Sequence, residues 1–122
     1  KKCSYFVGLG HPREKNMASL VGNFDDSKVI YVPRDPRDCI ASLSTYSNTV
    51  GDYLRRGELY DIEALYDAVA SLQARHPNQV HIVEFDELIF NTVEAMNDIG
   101  EFLDIAPDSC LETPTYCGTH LA

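Results

Sequence analysis

The sequence predicts an α/β fold with a parallel β-sheet, and two observations lead to this class. Apolar, β-branched runs that fit buried strands alternate with segments of helical periodicity. No turn signal typical of a β-hairpin separates consecutive strands, so each strand is expected to reach the next through a helix in a right-handed crossover. The 122 residues show no internal repeat and no linker. This predicts a single domain over residues 1–122 with a modest core.

The N-terminal part of the chain predicts a strand, a helix and a second strand. SYFVGL (residues 4–9) fits a short apolar strand, and apolar residues recur at helical spacing within residues 14–24. KVIYV (residues 28–32) is a continuous β-branched and aromatic run. Such a run is typical of a parallel strand that is covered on both faces.

The residues after this strand carry a strong signal for the start of a helix. Asp35 is a typical N-cap residue, and Pro36 suits the first helical position. A helix is therefore predicted over residues 36–46. The pattern fades over residues 47–57, which indicates a surface loop.

The second half of the chain repeats the order helix, strand, helix. Apolar residues recur at helical spacing over residues 62–76, and QVHIVEF (residues 79–85) predicts another buried strand. Asp86 is expected to cap a short helical turn. Residues 92–103 predict a longer helix with one apolar stripe, made up of Val93, Met96, Ile99 and Leu103. The tail from residue 104 lacks periodicity.

The charge balance argues against broadly anionic partners. The chain has 10 basic and 19 acidic residues, a formal net charge of −9, and its far field repels nucleic acids and anionic membranes. Any bound anion must therefore be held by a local arrangement of donors. No apolar run approaches the ~20 residues of a membrane span, and no signal peptide is recognisable. The expectation is a soluble, cytoplasmic protein.

The four cysteines and four histidines are scattered along the chain. They do not form the closely spaced pairs that a zinc site needs, so no metal is expected. The cysteines are expected to be free thiols in a reducing compartment. A disulfide between Cys110 and Cys117 is the less favoured alternative.

Four of the ten basic residues (Arg34, Arg37, Arg55 and Arg56) fall within one 23-residue window, and the first two lie in VIYVPRDPRDCIAS (residues 29–42). In an open parallel sheet, ligands bind at the carboxyl ends of the strands, where helix N-termini present N–H groups to anions. Arg34 follows the predicted strand, so its guanidinium is placed to bind a phosphate. Ser42, two turns into the helix, adds a hydroxyl donor. The alternative is that the arginines of this stretch form solvated ion pairs with the neighbouring aspartates.

Two segments of the chain resemble those of a known enzyme family. KVIYVPRDPRDCIASL resembles the segment of the sulfotransferases that use 3′-phosphoadenosine 5′-phosphosulfate, where an apolar strand leads to R-[DN]-P-[RK]-D and then a serine. HIVEFDELIFNTVEAMNDIGEFLDI (residues 81–105) is similar to the family's later strand, its R-Y-E-D-L motif and a helix ending in E-F-L-G. The two motifs stand in the family's order along the chain.

The resemblance implies a three-layer αβα fold of the P-loop NTPase-like sulfotransferase type, of which this chain is expected to hold the central and later part. It implies sulfuryl transfer from 3′-phosphoadenosine 5′-phosphosulfate to an acceptor hydroxyl or amine, without a metal. Arg34 and Ser42 would then hold the donor's 3′-phosphate. GLGHP (residues 8–12) is similar to the family's K-T-H-L-P segment, which makes His11 the candidate base. The acceptor cannot be identified from the sequence.

Three departures from the family pattern bear on activity. The phosphosulfate loop, K-x-G-T-[TS], has no counterpart in this sequence, Gly10 replaces the lysine of K-T-H, and Phe85 replaces a tyrosine near the nucleotide. Two functions therefore stay open: a sulfotransferase, as a fragment or a shortened relative, and a non-catalytic module that recognises adenosine 3′,5′-bisphosphate or a protein partner. A third reading is an α/β fragment with surface arginines. An incomplete sheet edge would favour a homodimer.

Overall fold

The computed structural model describes residues 14–44, 62–116 and 119–120. The helices are α1 (Glu14–Asn23), α2 (Pro36–Ser44), α3 (Ile62–Arg75), α4 (Phe85–Phe90) and α5 (Thr92–Leu103). The strands are β1 (Val29–Tyr31), β2 (Val80–Ile82), β3 (Thr115–Tyr116) and β4 (Thr119–His120), with a turn of 3-10 helix at Ser109–Leu111. The strand predicted at residues 4–9, the loop at 47–57 and His11 lie outside the described residues.

Strands β1 and β2 form a parallel pair, as the sequence predicts. Val29 lies opposite Val80, and Tyr31 lies opposite Ile82. The chain between them contains α2 and α3, so a helical crossover connects the two strands. This arrangement of helices and parallel strands is an α/β fold.

The core lies where α1 and α3 meet the sheet. Its buried side chains come from four elements, and they are Met17 and Val21 of α1, Tyr31 of β1, Val69 and Leu72 of α3, and Val80 of β2. Helix α3 packs on β2, and α1 packs on α3. Val69 and Val80 are 0% exposed. The helical spacing of apolar residues in α1 and α3 is the cause, because it places them on one face of each helix.

One prediction for the second half of the chain is wrong, and one feature of the tail was not predicted. Helix α4 begins at Phe85 with Glu84 as its N-cap residue, so Asp86 lies in the first turn instead of capping the helix. The tail, in which the sequence shows no periodicity, contains an antiparallel hairpin in which Thr115 pairs with His120. The hairpin has two residues in each strand, which is too short to show a periodic pattern in the sequence.

Two further observations concern the described part of the chain. No helix there is long and apolar enough to span a bilayer. Cys39, which is half-buried, and Cys110, which is exposed, are free thiols.

Candidate functional site

Hydrogen bonding between the two parallel segments continues beyond the ends of β1 and β2. The amide of Val83 donates to the carbonyl of Tyr31, and the amide of Phe85 donates to the carbonyl of Pro33, each at 3.0 Å. The loop before α2 and the start of α4 therefore run side by side. Continued along both segments, this parallel register brings Arg34 beside Phe85.

Arg34 lies over the Phe85 ring without a hydrogen-bonding partner in the described structure. Its Cζ is 4.5 Å from the ring centroid, which is a cation–π contact. Its Nε is buried and meets no hydrogen-bond acceptor among the described residues. A buried donor without an acceptor costs about 1–3 kcal/mol. A ligand that brings an acceptor to Arg34 would recover this cost.

Arg37, by contrast, is paired with Asp35. Its Nη2 lies 2.6 Å from Oδ2 of Asp35 and its Nε lies 3.0 Å from Oδ1. The backbone amide of Arg37 also donates to Oδ1, at 2.8 Å, which confirms Asp35 as the N-cap of α2. The side-chain hydrogen bond from Arg37, and then its backbone hydrogen bond, lower the pKa of Asp35 to about 2.

Within the described residues, Arg37 therefore forms the ion pair with an aspartate that the alternative interpretation expected, whereas Arg34 forms no ion pair. The same contacts bear on the expectation that the N-terminus of α2 presents free N–H groups to an anion. The amide of Arg37 is already satisfied by the side chain of Asp35. Of these two donors, the guanidinium of Arg34 is the one that stays without an acceptor among the described residues.

A cavity of about 590 Å³ lies at the carboxyl ends of β1 and β2. Its described lining comes from the β1–α2 loop (Pro33, Arg34, Asp35 and Pro36), from α3 (Tyr66 and Asp67) and from the start of α4 (Glu84 and Asp86). This position is the one at which open parallel sheets bind ligands, and the volume is within the range of small-molecule sites.

The lining has mixed charge. Arg34 is the one basic residue of the described lining, whereas Asp67, Glu84 and Asp86 add carboxylates to that of Asp35. Among the described lining residues, Arg34 is therefore the one that attracts an anionic group, and the carboxylates favour hydroxyl and amino groups that donate hydrogen bonds to them.

The sequence did not point to the acidic residues of this cavity or to Tyr66. Glu84 and Asp86 follow β2, so the rule that adjacent parallel strands end at the same edge could have indicated them. Tyr66 was expected in the apolar stripe of α3, but it is 38% exposed. No signal in the sequence distinguishes Asp67 from other surface aspartates.

A smaller cavity, of about 270 Å³, lies between α4 and α5. Its described lining is Glu87, Asn91, Glu94, Ala95 and Asp98. These residues include no basic side chain, so this cavity is not suited to an anion.

The structure brings one of the predicted site residues to the larger cavity. Arg34 lines it. Ser42 is half-buried on α2, and His11 lies outside the described residues. The roles of Ser42 and His11 remain predictions.

The fold and this site define the class: an α/β protein with an unpaired arginine at the carboxyl edge of a parallel sheet. Comparison with protein families adds the family, because the model of the sulfotransferase family matches residues 13–109. The chain belongs to the sulfotransferase family. The matched region includes Arg34, Ser42 and Phe85 and begins after His11. Searches of curated proteins and of solved structures found no significant match.

Proposed function

We propose that this chain takes part in sulfuryl transfer from 3′-phosphoadenosine 5′-phosphosulfate to an acceptor hydroxyl or amine. Membership of the sulfotransferase family supports the reaction class. The observation that supports the choice of donor is Arg34 itself, which lines the cavity and whose buried Nε has no acceptor among the described residues. For the complete domain we propose the three-layer, P-loop NTPase-like arrangement of the family.

Arg34 is proposed to bind the 3′-phosphate of the donor. A planar guanidinium can give two parallel hydrogen bonds to a phosphate, and the charge assists both of them. Ser42 is proposed as a further donor from α2. The carboxylates of Glu84 and Asp86 are acceptors for the hydroxyl and amino groups that a nucleoside carries.

In the proposed reaction, an acceptor oxygen or nitrogen attacks the sulfur atom. The bond between sulfur and the bridging oxygen of the 5′-phosphate breaks, and adenosine 3′,5′-bisphosphate leaves. The acceptor's proton passes to a base, for which His11 is proposed. The sequence contains no K-x-G-T-[TS] motif, so the proposal for the described residues concerns the 3′-phosphate half of the donor site.

Thermal unfolding with two nucleotides tests this proposal. Adenosine 3′,5′-bisphosphate is expected to raise the melting temperature more than adenosine 5′-monophosphate, which lacks the 3′-phosphate. A ligand at 100 times its dissociation constant stabilises by about 2.7 kcal/mol. Arg34→Ala should abolish the difference between the two nucleotides.

The matched control is Arg75→Ala. Arg75 lies in the last turn of α3, where its Nε donates to the carbonyl of Ser71 at 3.3 Å. This variant should keep the wild-type difference between the nucleotides. An equal response of the wild-type protein to both nucleotides would contradict the proposal.

A further inference from the structure

Arg34 stays without a carboxylate partner although its cavity is lined by four carboxylates. These belong to Asp35, Asp67, Glu84 and Asp86. Arginine and carboxylate groups commonly form bidentate ion pairs where they come within hydrogen-bonding distance. Within residues 14–44, 62–116 and 119–120, the one ion pair is that of Arg37 with Asp35. Two contacts at the site favour an Arg34 without an ion-pair partner.

The first contact is the ion pair of Arg37 with Asp35, the neighbour of Arg34 in the chain. Arg37 Nε lies 3.0 Å from Oδ1 and 3.1 Å from Oδ2, and its Nη2 lies 2.6 Å from Oδ2. The amide of Arg37 adds a fourth contact, to Oδ1. The side chain of Arg37 is 88% exposed, so packing into the core does not explain its position. Among the described residues, the side chain of Arg37 makes its hydrogen bonds to Asp35.

The second contact is that of the Arg34 guanidinium with the ring of Phe85. Phe85 is fixed relative to the β1–α2 loop by the hydrogen bond from its amide to the carbonyl of Pro33. The face of the ring attracts the cation at 4.5 Å. A cation–π contact uses none of the guanidinium N–H groups as a hydrogen-bond donor to an oxygen, so they stay available for an acceptor.

We propose that Arg37 and Phe85 are positioning residues that hold the Arg34 guanidinium unpaired for an anionic ligand. Arg37 does so by occupying Asp35, and Phe85 does so by carrying the guanidinium on its ring. The two arginines of R-D-P-R-D then have different tasks, because the first binds the ligand and the second neutralises the aspartate that caps α2. The identity of the ligand rests on the proposed function, whereas the arrangement of the three side chains does not.

A double-mutant cycle tests the part of Arg37. Affinities for adenosine 3′,5′-bisphosphate and adenosine 5′-monophosphate are measured by calorimetry for the wild type, Arg37→Ala, Asp35→Asn and the double variant. Asparagine keeps the N-cap oxygen without the charge. Arg37→Ala should lower the ratio of the two affinities by roughly threefold to tenfold, because the freed carboxylate captures Arg34. Asp35→Asn alone should leave the ratio of the two affinities close to that of the wild type. In the double variant it should restore the wild-type ratio.

A simple change in local charge would give a different pattern. Asp35→Asn would then raise the ratio by the same factor with and without Arg37. That additive result would overturn the role of Arg37.

Two substitutions test the part of Phe85. Phe85→Leu keeps an apolar side chain but removes the ring, and it should lower the affinity ratio by roughly threefold to tenfold. Phe85→Tyr keeps the ring face and should retain the wild-type ratio. Equal ratios in wild type and Phe85→Leu would overturn the role of Phe85.

A measurement without ligand separates this inference from the proposed function. The Nε–H proton of Arg34, assigned in NMR spectra by comparison with Arg34→Lys, should be shifted upfield by the ring current in the wild type and in Phe85→Tyr. It should lose this shift in Phe85→Leu. In Arg37→Ala it should move downfield on pairing with Asp35 and return in the double variant. Equal binding of the two nucleotides by the wild type would refute the proposed function, whereas an Arg34 signal that is the same in all variants would refute the positioning roles.

Discussion

The imidazole of His81 stacks on the ring of Phe102, with the two centroids 5.1 Å apart and the planes inclined by 24°. The ammonium of Lys28 lies 4.7 Å from the centroid of the same ring and donates to the carbonyl of Asn78 at 2.6 Å. The residue that directly precedes β1, a residue of β2 and the end of α5 therefore meet at one phenyl ring. Phe102 fastens α5 to the parallel strands.

Replacing Phe102 by alanine should weaken this attachment. We expect the free energy of unfolding in urea to fall by about 2–3 kcal/mol, because a half-buried ring and its stacking contacts are lost. Phe90→Ala is the matched control, since Phe90 is 79% exposed, and it should change the free energy by less than about 0.5 kcal/mol. Equal losses in the two variants would contradict this role of Phe102.

Gln79 should contribute to stability through its side-chain amide. Its Nε2 donates to the carbonyl of Phe24 at 2.8 Å and lies 3.2 Å from Oγ of Ser27, so it ties the turn after α1 to the start of β2. Gln79→Ala should lower the free energy of unfolding by about 1–2 kcal/mol, because these carbonyl and hydroxyl groups lose a donor.

Gln79→Glu separates the donor from the size of the side chain. It keeps the length but removes the NH₂ group, so it should destabilise at least as much as alanine. A wild-type melting curve for Gln79→Glu would show that the hydrogen bonds contribute nothing.

Asp35 should titrate at an unusually low pH. Its pKa is lowered to about 2 by the hydrogen bonds from Arg37, whereas an unfolded aspartate has a pKa of about 3.9. The ionised carboxylate therefore stabilises the folded state above about pH 4, and this contribution is lost as the pH falls from about 4 to about 2. An NMR titration of the Asp35 carboxyl should show its pKa rising in Arg37→Ala.

Asp108 is the internal control for this titration. Its pKa is also lowered, by the hydrogen bond from the backbone amide of Cys110, whose donor lies 2.9 Å from Oδ1. Because Arg37 has no part in that bond, Arg37→Ala should leave the titration of Asp108 unchanged. An Asp35 curve that is the same with and without Arg37 would exclude the ion pair as the cause.

Arg34→Lys should separate charge from geometry at the proposed phosphate site. Lysine keeps the positive charge but offers a point charge on a flexible chain instead of a planar fork. We expect the affinity for adenosine 3′,5′-bisphosphate to fall about tenfold and the affinity for adenosine 5′-monophosphate to change little. Arg75→Lys is the control. A full retention of affinity in Arg34→Lys would show that charge alone is sufficient.

The sequence predicts those parts of the fold that local chemistry determines. The bounds predicted for α5 are those observed, because its apolar residues recur at helical spacing over the whole helix. Asp35 is the N-cap of α2, as expected from a carboxylate that reaches the amide two residues on. The parallel pairing of β1 and β2 is confirmed as well.

The errors arise where contacts between distant segments decide the structure. Asp86 is a better N-cap residue than Glu84 by propensity. The helix nevertheless begins at Phe85, the residue whose amide is held by the carbonyl of Pro33. The stripe predicted for α5 includes Val93, which is exposed, whereas Ala95 is the residue that is buried. Here the packing of α5 against its neighbours overrides the average periodicity.

The candidate site was predictable in part for the same reason. The position of Arg34 follows from the strand and the helix that flank it. Its contact with Phe85 depends on the register of two strands that are far apart in the sequence, and single residues do not reveal that register. Tyr66 reaches the cavity from α3, whose placement no local pattern gives.

Arg34 and Phe85 meet only after β2 has joined β1, since their backbones are connected through the bond from Phe85 to Pro33. A nascent chain that ends within α3 carries the arginine but not the ring that holds it. The proposed ligand site is therefore completed in the slow, long-range step of folding and not with the early formation of α2. A change that weakens the pairing of β1 with β2 should abolish binding of the proposed ligand while the helices are still folded.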